Sequence, residues 1–68
     1  MPELQVGKVY VIRFKKDAMG TTYEVKGLFW LDGVRMVRLQ ATRKGEYKPI
    51  VRRLDDIAHV RQASKQHA

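Results

Sequence analysis

Apolar and polar positions alternate along most of this chain, and that alternation predicts its elements. Over residues 8–15, Tyr10, Ile12 and Phe14 occupy every second position, while the intervening side ends in Arg13 and Lys15. A period of two belongs to a strand with one covered face, so a first strand is predicted here. Residues 16–20 are polar, close on Gly20, and predict a loop too short for a helix. Two long β-prone runs, Thr21–Leu31 and Val34–Ala41, then flank Asp32-Gly33, a pair suited to the positive φ angles of a tight hairpin turn. Gly27 lies inside the first run, and glycine within a strand marks a bulge or sharp bend. Such a bend would let one long strand serve two sheets.

The loop length decides which side chains face inward, because a slip of one residue exchanges the two faces of a strand. A two-residue loop sets Trp30 opposite Arg35 and puts Val37 and Leu39 on the face of Leu28. A three-residue loop that includes Val34 pairs Phe29 with Val37. Val25, Phe29, Leu31, Val37, Leu39 and Ala41 then share one face, with Leu28 and Trp30 on the other beside Met36 and Arg38. The second arrangement gives the more uniform core and is the expectation.

Residues 43–46 predict a turn, and residues 47–53 a strand that Pro49, lacking an amide donor, confines to an edge. For residues 54–61 two readings stand. One is a helix from Asp55; the other is a 3₁₀ turn over 54–57 followed by a short strand over 58–61. Helical spacing from Leu54 reaches Ile57 and Ala58 but leaves Val60 off the stripe, which favours turn and strand. The chain divides into a lead-in (1–6), one folded unit (7–61) and a flexible tail (62–68). Five strands without a long helix predict an all-β class, barrel or sandwich.

Composition narrows the picture. Sixty-eight residues make one small domain, and a chain this short buries only about 60 % of its unfolded surface. There is no cysteine, hence no disulfide or thiolate metal site. No apolar run is long enough for a membrane span, and the N-terminus lacks the pattern of a signal peptide, so a cytoplasmic location is expected. Fourteen Lys and Arg against seven Asp and Glu give a net charge of +7, a field that attracts polyanions.

The order of elements resembles that of SH3-like barrels, most closely in Ile50-Val51-Arg52-Arg53-Leu54-Asp55-Asp56-Ile57-Ala58-His59-Val60, the strand, 3₁₀ turn and closing strand that end such domains. The resemblance covers about residues 7 to 61 and implies a five-stranded barrel with a 3₁₀ turn before the last strand, but no one activity. Peptide-binding SH3 domains carry acidic residues beside their groove, whereas here Asp17 stands against Lys15 and Lys16. The plasmid-borne type II dihydrofolate reductases rest their active site on Val-Gln-Ile-Tyr. The corresponding Lys48-Pro49-Ile50-Val51 does not match, although their tetramer shows that such barrels can oligomerise. Small basic chromatin-type barrels lay a Trp-bearing sheet on DNA and share this chain's physical character.

Little here points to catalysis or to a cofactor. His59 and His67 have no metal-ligand spacing, the Asp55-Asp56 pair reads as a capped turn, and the glycines form no phosphate-cradling loop. The expectation is a non-enzymatic protein that binds DNA or RNA through phosphates with little sequence preference. Its contacts are expected at Arg13, Lys15, Arg35, Arg38, Lys48, Arg52 and Arg53, with Trp30 as a stacking surface unless the core absorbs it. The alternative is a protein-interaction module, such as an adaptor or inhibitor encoded by a phage or plasmid. It would bind an acidic partner or its own copies through Leu28, Trp30 and Met36. A ribosome- or polymerase-associated barrel is a third reading.

Overall fold

Asp32 and Gly33 both adopt positive φ, 52° and 79°, in the computed structural model of the chain, which describes residues 3–45 and 47–63. Two successive left-handed residues make the two-residue turn whose twist suits a β-hairpin. The strands it joins, β2 (Thr21–Leu31) and β3 (Val34–Ala41), pair Leu31 with Val34, Trp30 with Arg35, Phe29 with Met36 and Leu28 with Val37. The expected three-residue loop is therefore corrected. Val34 belongs to the ladder, and Leu28 and Trp30 lie on the face opposite Met36 and Arg38.

A bulge explains why the uniform-core argument chose the wrong register. Pairing runs regularly from Tyr23↔Ala41 to Val25↔Leu39, then resumes at Gly27↔Arg38, leaving Lys26 as an extra residue. One extra residue reverses the alternation beyond it, so Val25 and Leu28, three apart, face the same way. Val25, Val37 and Leu39 have no exposed surface, and Leu28 packs against them. The expected bulge near Gly27 is present, but Gly27 keeps ordinary φ and an added Cβ would only touch Arg38 Cβ at 4.0 Å. The same device recurs in β5 (Ile57–Gln62). There the register against β1 (Val9–Phe14) shifts between Arg13↔His59 and Phe14↔Ile57, so Ile57 and Val60 are both buried.

The five strands form one antiparallel sheet in the order β4-β3-β2-β1-β5, where β4 is Ile50–Arg53. A 3₁₀ turn, Leu54–Asp56, joins the two edge strands, and among the described residues no ladder links β4 to β5. The sheet nonetheless curls. Tyr10, Ile12, Phe14, Val25, Val37, Leu39, Ile57 and Val60 form one core with Leu4 although no second layer covers them among the described residues. Arg52, on edge strand β4, brings its guanidinium carbon within 6.0 Å of the Phe14 ring centre on β1. Three strand spacings of about 4.8 Å separate those strands in a flat sheet. The Lys15 amide also donates to the Asp56 carbonyl at 2.8 Å, fastening the end of β1 to the 3₁₀ turn.

The flanking segments are more integrated than their polarity implies. Leu4, in the expected lead-in, is 6 % exposed and belongs to the core. The Gln5 amide donates to the Tyr10 hydroxyl at 3.0 Å, and that hydroxyl donates to the Glu3 carbonyl at 3.3 Å. At the other end Gln62 is still paired with Tyr10, and the Ala63 amide donates to the Val9 carbonyl. Residues 64–68, including His67, lie outside the described residues. β4 begins only after Pro49. Tyr47 instead has its carbonyl bound by Gln40 Nε2 at 2.6 Å.

Leu39 sits at the centre of this arrangement. Leu39→Ala is expected to cost about 2–5 kcal/mol, a large share of the roughly 5–15 kcal/mol that holds a domain together. Urea denaturation followed by circular dichroism checks this, and a loss below about 1 kcal/mol would place Leu39 outside the core.

Candidate nucleic-acid interface

The hairpin runs beyond the core, and its end carries an aromatic–cation pair. Trp30 is 67 % exposed, and the Arg35 guanidinium carbon, directly across the ladder, lies 5.6 Å from its ring centre. A guanidinium so placed is attracted by the negative face of the indole, an interaction of about 0.5–1 kcal/mol at an exposed site. Trp30 is the only tryptophan in the chain, and it is not core filler.

Strand alternation distributes the other expected contacts. On the outer face, Arg38 and Arg53 are diagonal neighbours on β3 and β4, since Arg38 pairs with Val51 and Met36 with Arg53. Arg38 brings its guanidinium carbon within 5.7 Å of the Phe29 ring centre, and Arg53 Nη2 lies 4.0 Å from an Asp55 carboxylate oxygen. Arg13 is also outward, half-buried on β1 opposite His59, with Nη1 donating to the Asp17 carbonyl at 3.5 Å. Arg52 points the other way, towards Phe14, and its Nη1 donates to the Val51 carbonyl at 2.9 Å. It borders a cavity of about 250 Å³ with Lys15, Lys16 and Tyr23, where Asp17 and Asp56 supply opposing charge. Lys48 stands exposed in the segment before β4.

The expected residues thus form separate groups: Trp30 with Arg35, Arg38 with Arg53, Lys15 with Arg52, and Arg13 apart from these. Leu28, Trp30 and Met36, proposed from sequence as one protein-binding surface, are divided between two faces. Two basic residues outside the expected contacts, Arg43 and Arg61, also have neighbours that matter. Arg43 has its guanidinium carbon 5.2 Å from the ring centre of the exposed Tyr47. Arg61 joins Arg13 on the outer face, since Val11 pairs with Arg61 two ladder positions from Arg13 and His59. The first was visible as a basic residue near an aromatic; the second required the strand pairing.

Few of these charges are compensated locally. Among the described residues only Lys26, with Glu24 at 3.5 Å, and Arg53, with Asp55, lie within 4.0 Å of a carboxylate. Both pairs are well exposed, where such contacts contribute little. Asp55 and Asp56 are exposed in the 3₁₀ turn, and among the described residues no group of three or more His, Asp or Glu could hold a metal ion. No described helix is long and apolar enough to cross a membrane.

Because Trp30 is the sole indole, acrylamide quenching reports this position alone. Quenching is expected to approach that of free tryptophan, and strong protection would contradict the placement of Trp30 at an exposed hairpin end. Comparison with known proteins finds no matching family, and no curated protein or solved structure matches the chain.

Proposed function

We propose that this chain is an SH3-like barrel that binds nucleic acid in the cytoplasm, chiefly through phosphate contacts and with little sequence preference. The fold part of the reading is supported by the order of elements, with a 3₁₀ turn between β4 and β5, and by the contacts that bring edge strand β4 and the 3₁₀ turn to the end of β1. The observation that carries the function is the surplus of cations. A chain of net charge +7 has only two ion pairs among its described residues, and its arginines lie on several strands of a curled sheet.

Such a surface engages a polyanion by releasing condensed counterions from it. Because the arginines occupy more than one face, contact with a strand that follows the curved surface uses more of them than contact with one flat patch. Arg38 and Arg53 supply one cluster, Arg13 and Arg61 a second, and Arg35 the end of the hairpin. Arginine is well suited to this role, since its planar fork binds phosphate and stacks on aromatic rings.

A protein partner is the second reading, favoured by the outer face of the hairpin. There Leu31 is 54 % exposed beside Phe29, Val34 and Met36. The surrounding positive charge directs that reading to an acidic partner and opposes self-association.

Salt dependence decides between them. If six to ten phosphates are engaged, affinity for an oligonucleotide is expected to fall by about 10³–10⁵ between 50 and 200 mM salt. Arg38→Ala should reduce the salt slope by about one contact. A slope near zero would refute the nucleic-acid reading.

A further inference from the structure

The end of the hairpin borders a half-open recess as well as a stacking surface. A cavity of about 510 Å³ opens there, bounded by Trp30 and Arg35, by Leu28 and Leu54, and by Glu3 and Asp55. That volume is within the usual range for small-ligand sites, about 300–1,000 Å³. The backbone on both sides is fixed. The Tyr10 hydroxyl bonds the Glu3 main-chain carbonyl and Leu4 is buried beside it, while Asp55 belongs to the 3₁₀ turn that joins the sheet edges, its exposed carboxylate 4.0 Å from Arg53 Nη2.

The chemistry of these walls is selective. The indole and leucines favour a flat, largely apolar group, and stacking on an aromatic ring contributes about 5- to 150-fold in affinity per base. Carboxylates accept hydrogen bonds and cannot donate them. Glu3 and Asp55 therefore favour a group with outward N–H bonds on their side of the cavity, while Arg35 on the hairpin wall leaves room for a phosphate at the rim. Among the nucleobases, guanine presents an imino N–H and an amino group side by side, matching the two oxygens of one carboxylate. Cytosine and adenine offer one amino group beside a ring-nitrogen acceptor. Thymine and uracil offer one imino N–H between two carbonyls that repel a carboxylate.

We propose that this cavity takes an unpaired guanine of single-stranded nucleic acid, stacked on Trp30 with its N1 and N2 hydrogens directed to the carboxylate of Glu3 or Asp55. The inference rests on the nucleic-acid reading and names its substrate. It requires a single strand because base pairing occupies that edge of guanine in a duplex. It also adds a local base preference to otherwise unspecific phosphate binding.

The test titrates Trp30 fluorescence with an all-thymidine strand and with the same strand carrying one dG or one inosine, which lacks the 2-amino group. Guanosine monophosphate is titrated alone. The dG strand is expected to bind about fivefold or more tightly than the thymidine strand, with inosine losing most of that gain. Glu3→Gln combined with Asp55→Asn should abolish the preference and strengthen binding of the thymidine strand, since two negative charges are removed. Equal affinity for the three strands, with steep salt dependence, would overturn the guanine site and leave the phosphate reading standing. Failure of every strand to bind would overturn both. Guanosine monophosphate binding as tightly as the dG strand would overturn the single-strand assignment. The inosine comparison uses the unaltered protein, so it does not depend on the variants folding.

Discussion

The pairing of β2 with β3, with one residue looped out of it at Lys26, is the constraint on which the molecule depends. The Asp32-Gly33 turn fixes the ladder at one end, and the bulge reverses the alternation along it. Without the bulge, Val25 and Leu28 would face opposite ways, and no straight register could bury both beside Val37 and Leu39. Burying a side chain of this size contributes roughly 1.5–3 kcal/mol, so in a core of so few residues the bulge outweighs the local irregularity it introduces. The bulge in β5 performs the same service for Ile57 and Val60. Both also add twist, which helps one sheet wrap around its own side chains.

The same alternation distributes the chemistry. Once Leu28 faces the core, Trp30 must lie on that face one step further out, where the hairpin has left the core behind. Arg35 follows it across the ladder, and Arg38 and Arg53 go to the outer surface. The aromatic group and the cations are therefore exposed by register rather than by loop disorder. Arg52 is placed differently. It points inward over Phe14 and binds the Val51 carbonyl of its own edge strand, so part of its hydrogen-bonding capacity is used within the protein.

Much of the fold was legible because its signals are local. Alternation marked β1, the Asp-Gly pair marked the place of the hairpin though not its loop length, and the poor helical stripe after Leu54 pointed to a turn and strand. The faces of β2 and β3 were not legible. Gly27 announced a bulge without showing which neighbouring residue is extra, and counting alternation straight through it assigned Phe29 and Leu31 to the core. The apolar spacing of three at Ile57 and Val60 had the same hidden cause. Leu4 was missed because a single apolar residue in a polar segment has no period to reveal it. The candidate site was legible as a set of residue types, but its grouping was not. Arg35 over Trp30 and Arg38 over Phe29 depend on the register, and the cavity between Glu3, the hairpin and Asp55 unites segments far apart in the chain.

The register itself can be read by nuclear magnetic resonance. Inter-strand Hα–Hα contacts are strongest between residues directly opposite each other in the closely spaced, non-hydrogen-bonded positions of an antiparallel ladder. This account predicts such contacts between Leu28 and Val37 and between Trp30 and Arg35. A contact between Phe29 and Val37 in their place would contradict it, returning Trp30 to the other face and separating it from the cavity.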